Sequence, residues 1–302
     1  MTRRDPALLQ LAQDRKFDDL RRHFHDGDLE SVFEVAEYLR EEDLYQLAIE
    51  LYEHLLPKED SARIHFGVGQ CYGKIYDYDT ALRHLRRAFE LEPDRESGTH
   101  YYAYILERRE LMEEADRWYR KALEGRYGED LWTLSHYACF LEKAGRGDEA
   151  HAAYEDVLER NPGYTWAVKR FAIFLLDRGD AERSLELMRG ALDAFPDAPF
   201  VKLNYLEYLI LREEADAYER YHRELEGQSP APWFPVVVDL LDYFCRYLLK
   251  GSSDLERAAA FERAAQALTD SVHRDFDDLN RLLASKGGDL AEWSRLVGLL
   301  LK

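Results

Sequence analysis

Residues 62–95 read ARIHFGVGQCYGKIYDYDTALRHLRRAFELEPDR. Within this stretch Ala81 is followed by Leu85 four positions on, then by Ala88 and Phe89 at plus seven and plus eight. Offsets of four, seven and eight share one face of an α-helix, so these residues predict an amphipathic helix with a small residue where a neighbour can approach. The same set recurs in both directions. Ala48/Tyr52/Leu55/Leu56 precedes it, and Ala115/Tyr119/Ala122/Leu123, Ala150/Tyr154/Val157/Leu158 and Ser184/Met188/Ala191/Leu192 follow. The steps between the small residues are 33, 34, 35 and 34. A fixed period of this length is the mark of a repeat architecture.

Each period holds a second helix. Twelve residues before the small residue sits another, at Ala36, Gly69, Ala103, Ala138 and Ala172, and three positions further on a large one, at Leu39, Tyr72, Leu106, Leu141 and Leu175. Tight turns separate the two, most plainly Gly145-Arg146-Gly147-Asp148 and Arg178-Gly179-Asp180, where glycine tolerates positive φ. Pro93, Pro162 and Pro196, with Pro57 slightly early, end successive pairs because proline cannot continue a helix.

The pattern resembles the tetratricopeptide repeat (TPR) over Leu29 to about Gly227, roughly two thirds of the chain, as six units of about 29–61, 62–95, 96–130, 131–164, 165–198 and 199–229. In the second unit Gly69, Tyr72, Tyr78, Ala81, Ala88 and Pro93 all fall at the family's signature positions. The family's usual Trp at the fourth position is absent throughout, and the sixth unit keeps only Tyr205, Leu209 and Ala217 loosely. The run Trp132…Tyr137…Phe140…Glu142, then Tyr154-Glu155, also looks like the related half-a-TPR repeats of RNA-processing scaffolds; the regular step and small residues favour the first family. The resemblance implies an all-α fold, a right-handed α-solenoid of antiparallel helix pairs with N- and C-terminal capping helices.

Outside the 29–229 array, residues 1–28 read as an N-terminal cap, one amphipathic helix from Pro6 to about His25 carrying Leu8, Leu9, Leu11, Phe17, Leu20 and Phe24. After the array, residues 230–235 (PAPWFP) read as a rigid linker. Val236–Leu249 reads as a mostly buried helix whose polar stripe is Asp239, Asp242 and Arg246, continued by Lys250. Three more helices are expected at about Ser253–Leu268, Asp270–Ser285 and Asp289–Leu301, with Gly287-Gly288 stopping one and Asp289 capping the next. The region 230–302 is expected to cap the solenoid, which otherwise exposes its last face, or to form a homodimer through 236–301.

Sixty acidic against 41 basic side chains give a net charge of -19, which argues against nucleic acid, because phosphate binding needs clustered Lys and Arg. Hydrophobic residues at 46% exclude a disordered acidic tail. Cys71, Cys139 and Cys245 lie far apart, so a disulfide framework is not expected and a reducing, cytoplasmic setting is. No apolar run suggests a signal peptide or a membrane span. Gly67-x-Gly69-x-x-x-Gly73 has the wrong spacing for a dinucleotide loop. No His-Glu-x-x-His, Cys-x-x-Cys or nucleophile elbow is present, so no enzyme, metal or cofactor is expected.

The resemblance implies instead that the first helix of each pair lines a concave groove through its positions two, five, six, nine, twelve and thirteen. Carried onto this sequence, these supply Glu30, Phe33, Glu34, Glu37 and Glu41, then Arg63, Phe66, Gln70 and Lys74, then His100, Tyr101, Tyr104 and Arg108. The later units supply Trp132, Ser135, His136 and Cys139, then Trp166, Lys169, Arg170 and Ile173, and finally Phe200, Asn204 and Glu207. The core of the candidate site is Glu34, Glu37, Arg63, Phe66, Gln70, Tyr101, Tyr104, Trp132, His136, Lys169, Arg170 and Asn204. The family's carboxylate clamp is missing, since Phe33 and Glu37, or Phe66 and Gln70, stand where Lys and Asn would. The groove thus reads as acidic at one end, aromatic in the middle and basic at Lys169 and Arg170. It suits a partner protein segment, extended or helical, with basic and aromatic or apolar character. The function expected is a non-enzymatic adaptor. The alternatives are an acidic inhibitor or immunity-type protein neutralising a basic partner such as a nuclease toxin, and a half-a-TPR-like RNA-processing scaffold.

Overall fold

The computed structural model describes residues 6–251, 255–268 and 276–300. Every regular element among them is helical. The helices run in pairs: α1 (Pro6–Gln13) and α2 (Phe17–His23); α3 (Leu29–Glu41) and α4 (Tyr45–Leu55); α5 (Ala62–Lys74) and α6 (Tyr78–Leu91); α7 (Thr99–Arg108) and α8 (Met112–Glu124); α9 (Leu131–Lys143) and α10 (Gly147–Arg160). They continue with α11 (Thr165–Asp177) and α12 (Ala181–Ala194), α13 (Pro199–Leu211) and α14 (Ala215–Glu224), α15 (Phe234–Lys250) and α16 (Leu255–Ala267), α17 (Asp277–Ser285) and α18 (Leu290–Gly298). The chain forms two compact units, residues 1–153 and 154–302, and the division falls inside α10.

The repeat is written into the backbone as well as the side chains. Asp43, Tyr76, Glu110, Gly145, Gly179 and Glu213 all have positive φ, at steps of 33, 34, 35, 34 and 34. Each sits two residues past the end of a first helix, and the amide of the residue after it bonds back to the carbonyls of Leu39, Tyr72, Leu106, Leu141, Leu175 and Leu209 at 2.8–3.0 Å. This left-handed cap satisfies carbonyls that the end of a helix leaves open. Two of the six positions use glycine; the other four hold the same turn at a steric cost. Glu110→Gly is therefore expected to stabilise the chain by about 0.5–1 kcal/mol. A thermal melt that does not rise would show that the Glu110 side chain itself contributes to the turn.

The small residues do what their size suggests. Ala48, Ala81, Ala115, Ala150 and Ser184 are fully buried, with Tyr52, Leu85, Tyr119, Tyr154 and Met188 packed beside them one turn on. Serine at 184 is accommodated because its hydroxyl donates to the Ala172 carbonyl at 2.6 Å and meets the Tyr208 hydroxyl at 2.7 Å. In the sixth pair the register is carried by Glu213. Counting from it, buried Leu206 and Tyr218 occupy the small positions, one residue beyond the expected Ala217, which is why the signature fades there.

Two expectations about the ends are corrected. The single helix expected from Pro6 to His25 is two, because Arg15 takes φ 56 and the Lys16 amide bonds back to the Leu11 carbonyl at 2.9 Å, the same cap as in the repeats. The Gln13-Asp14-Arg15-Lys16 run offers no apolar residue to hold the stripe together across it. At the C-terminus, α16, α17 and α18 fill the three expected helices in part; residues 252–254, 269–275 and 301–302 lie outside the described residues. The expected stop and cap at 287–289 are present: Gly287 has φ 69 and the Asp289 carboxylate accepts the Glu292 amide at 3.0 Å. Among the described residues no helix is long and apolar enough to cross a membrane.

Candidate functional site

Within the first unit the first helices of successive pairs lie side by side. Arg63 of α5 donates to Glu30 of α3 at 2.8 Å, and the Tyr101 hydroxyl of α7 donates to the Gln70 carbonyl of α5 at 3.1 Å. Trp132 of α9 and Tyr104 of α7 bring their ring centroids to 5.8 Å. Between these helices runs an open cleft of about 380 Å³, lined by Arg40, Glu41, Asp43, Tyr45, Gln70, Lys74, His100, Tyr101 and Trp132.

The aromatic part of the expected site is assembled as a cluster. Trp132 packs on His136 at 4.0 Å and edge-on to His100 at 5.2 Å, and Tyr104 meets His136 at 5.3 Å. Tyr104, Trp132 and His136 are half-buried, so each keeps part of its surface open to solvent. Burial lowers the His100 imidazole below its ordinary value, outweighing the Asp130 carboxylate, and its Nδ1 is buried with no hydrogen bond. A neutral imidazole edge, a tryptophan face and the Lys74 ammonium thus converge on one cleft, a set that can take an apolar or aromatic side chain beside a polar group.

Other expected residues serve the fold. Phe66 is 8% exposed, capped by the Arg95 guanidinium at 4.5 Å and pressed against Gly98. Tyr101 is buried but for the edge that reaches the cleft. Glu37 is held by Arg40 at 2.8 Å and by the Tyr52 hydroxyl, and Arg63 lies between Glu30 and Glu59 and over the Phe33 ring at 4.4 Å. Glu34 is half-buried on α3. The acidic end is therefore largely neutralised by neighbours. Cys139 is buried, and burial pushes the Cys71 thiol up to about 12, away from a reactive thiolate.

The basic end is corrected outright. Lys169, Arg170 and Asn204 belong to the second unit, where Lys169 is 7% exposed and donates to Glu207, fully buried, at 2.6 Å. Arg170 donates to Asp278 of α17 at 2.8 Å, and Asn204 donates to the Thr165 carbonyl at 3.4 Å. Burial works to raise the Asp278 carboxyl, yet Arg170, Lys169 and Arg281 together hold it below the ordinary carboxylate value. No open basic patch forms there, because a helix from the C-terminal region brings a carboxylate onto it.

Three cleft residues were missed. Arg40 stands at position twelve of its helix and was recoverable from the position rule. Asp43 lies in the turn after α3 and Tyr45 opens α4, and a rule about the faces of first helices reaches neither.

A tetratricopeptide-repeat family model matches residues 141–203. This chain carries tetratricopeptide repeats. A TPR repeat-containing protein of Dictyostelium discoideum is 26% identical over 132 residues, 41% of this chain and 50% of that protein. Protein O-mannosyl-transferase Tmtc1 of Drosophila melanogaster is 31% identical over 97 residues, 32% of this chain and 11% of that one. The chain thus spans half or less of the curated relatives it matches. Among solved structures, MamA from Desulfovibrio magneticus RS-1 aligns with TM-score 0.50 and 9% identity over 55% of this chain and 95% of that one. YrrB, described as a TPR protein with an unusual peptide-binding site, aligns with TM-score 0.48 and 19% identity over 61% and 94%. A TPR architecture of this kind suits a scaffold for protein–protein contacts.

Proposed function

We propose that this TPR chain is a non-enzymatic adaptor that holds a segment of a partner protein on the inner face of its first unit. The reading is carried by the cleft in which the Trp132 ring, the His100 edge and Lys74 converge. Tyr and Trp combine large buried area with a polar handle, which is why they dominate binding hot spots. The charges around the cleft, Arg40 and Lys74 against Glu41 and Asp43, are balanced, so the segment is recognised through an apolar or aromatic anchor with a flanking polar group.

The test compares capture of partners by the wild-type chain and by Tyr104→Ala/Trp132→Ala, followed by titration of the captured partner against both. The double variant is expected to lose about 2 kcal/mol or more of affinity, roughly thirtyfold. Equal affinity for both proteins would move recognition off this face.

A further inference from the structure

The second unit carries a contact that the repeats do not require. Position five of α11 is Lys169 and position six is Arg170, both on the face that the first helices of this fold turn inward, and both meet Asp278 of α17. α17 lies against α13 as well, so it crosses the inner face of two consecutive repeats. Its sequence is arranged for this: Asp278 and Leu279 are followed at plus four and plus five by Leu282 and Leu283. Leu279 and Leu283 are buried and Leu282 packs at the core's edge.

The fit is incomplete at one atom. Asp278 Oδ2 is buried without a hydrogen bond, and Lys169 Nζ stands 3.6 Å from it. A carboxylate one methylene longer would reach about 1.5 Å further, enough to close that gap. We infer that the inner face of α11 and α13 is a docking site for an acidic amphipathic helix of a partner, and that α17 occupies it in cis. The partner helix carries a carboxylate, glutamate in preference to aspartate, followed by apolar residues at plus one, plus four and plus five.

Exchange of one such helix for another conserves the contacts. When α17 leaves, it takes Asp278 and Arg281 with it, and Lys169 and Arg170 then face Glu207. Lys169 keeps Glu207 as its counter-charge while Arg170 loses the carboxylate of Asp278, so the vacated face favours another carboxylate. This site lies in the second unit, apart from the first-unit cleft, so either reading can fail without the other.

Two measurements on the full chain test it. In wild type, hydrogen exchange is expected to show the α17 amides exchanging at least about tenfold faster than those of α13, because α17 opens locally. Exchange of both helices in one event would make α17 a fixed part of the core and overturn the inference. The second uses a fluorescent peptide of residues 276–300 as the probe. The Asp278→Lys chain, whose own α17 is repelled by Lys169 and Arg170, is expected to bind it about tenfold or more tighter than wild type, and the peptide carrying Asp278→Glu tighter still. Binding to neither chain, with helix content retained by Asp278→Lys, would overturn it. Should that variant fail to fold, the exchange measurement on wild type decides.

Discussion

Replacing Lys169 with methionine is expected to destabilise the second unit by roughly 3–5 kcal/mol. Methionine fits the stem's volume, so the loss is electrostatic. Glu207, with no exposure at all, loses an ammonium at 2.6 Å, and Asp278 loses one of its cations. Taking a carboxylate out of water is tolerable only when a counter-charge and hydrogen bonds replace the solvent. The paired variant Lys169→Met/Glu207→Met should recover most of the loss, since an apolar pair of similar volume can replace a buried ion pair at little cost. Urea denaturation, with amide exchange in α11 and α13 to localise the transition, reads both. A single-variant loss under about 1 kcal/mol would mean that water reaches Glu207.

Gly98→Ala is expected to cost about 2–4 kcal/mol in the first unit. Two effects add. Gly98 has φ +85, a conformation that penalises any Cβ, and a Cβ there would stand 2.0 Å from Cζ of Phe66. That ring cannot swing away: it is buried, with Arg95 over its face. The same backbone position also donates its amide to the Tyr127 hydroxyl at 3.1 Å, tying the approach of α7 to the residues that follow α8. Gly145→Ala separates the two effects. Gly145 has φ +73 but open space around its Cα, so only the conformational part, about 1 kcal/mol, should be lost. Equal losses for the two variants would show that the Phe66 contact relaxes freely.

These two sites mark the boundary of what was legible. The ladder from Ala48 to Ser184 set the helix pairs and their period because a repeat's defining contacts are local. The helix face recurs within eight residues, and the turn that reverses the chain needs one residue past the helix end. Those contacts depend on side-chain size and spacing, which a sequence displays directly. The aromatic cluster of Tyr104, Trp132 and His136 followed from the same rule, since it uses neighbouring helices of one face.

Phe66 and Lys169 obeyed the position rule and were still misjudged as open groove residues. Which face a residue occupies is set by its own helix, but how much of that face stays open is set by what packs on it. For Phe66 that is Gly98, over thirty residues away; for Lys169 it is Asp278, over a hundred away. The sequence by itself determined the period, the pairing and which residues share a face of each first helix, because backbone geometry repeats wherever the pattern does. Only the tertiary structure decided which inward charges remain available, because neutralisation depends on where a distant helix comes to rest, and no local period encodes that.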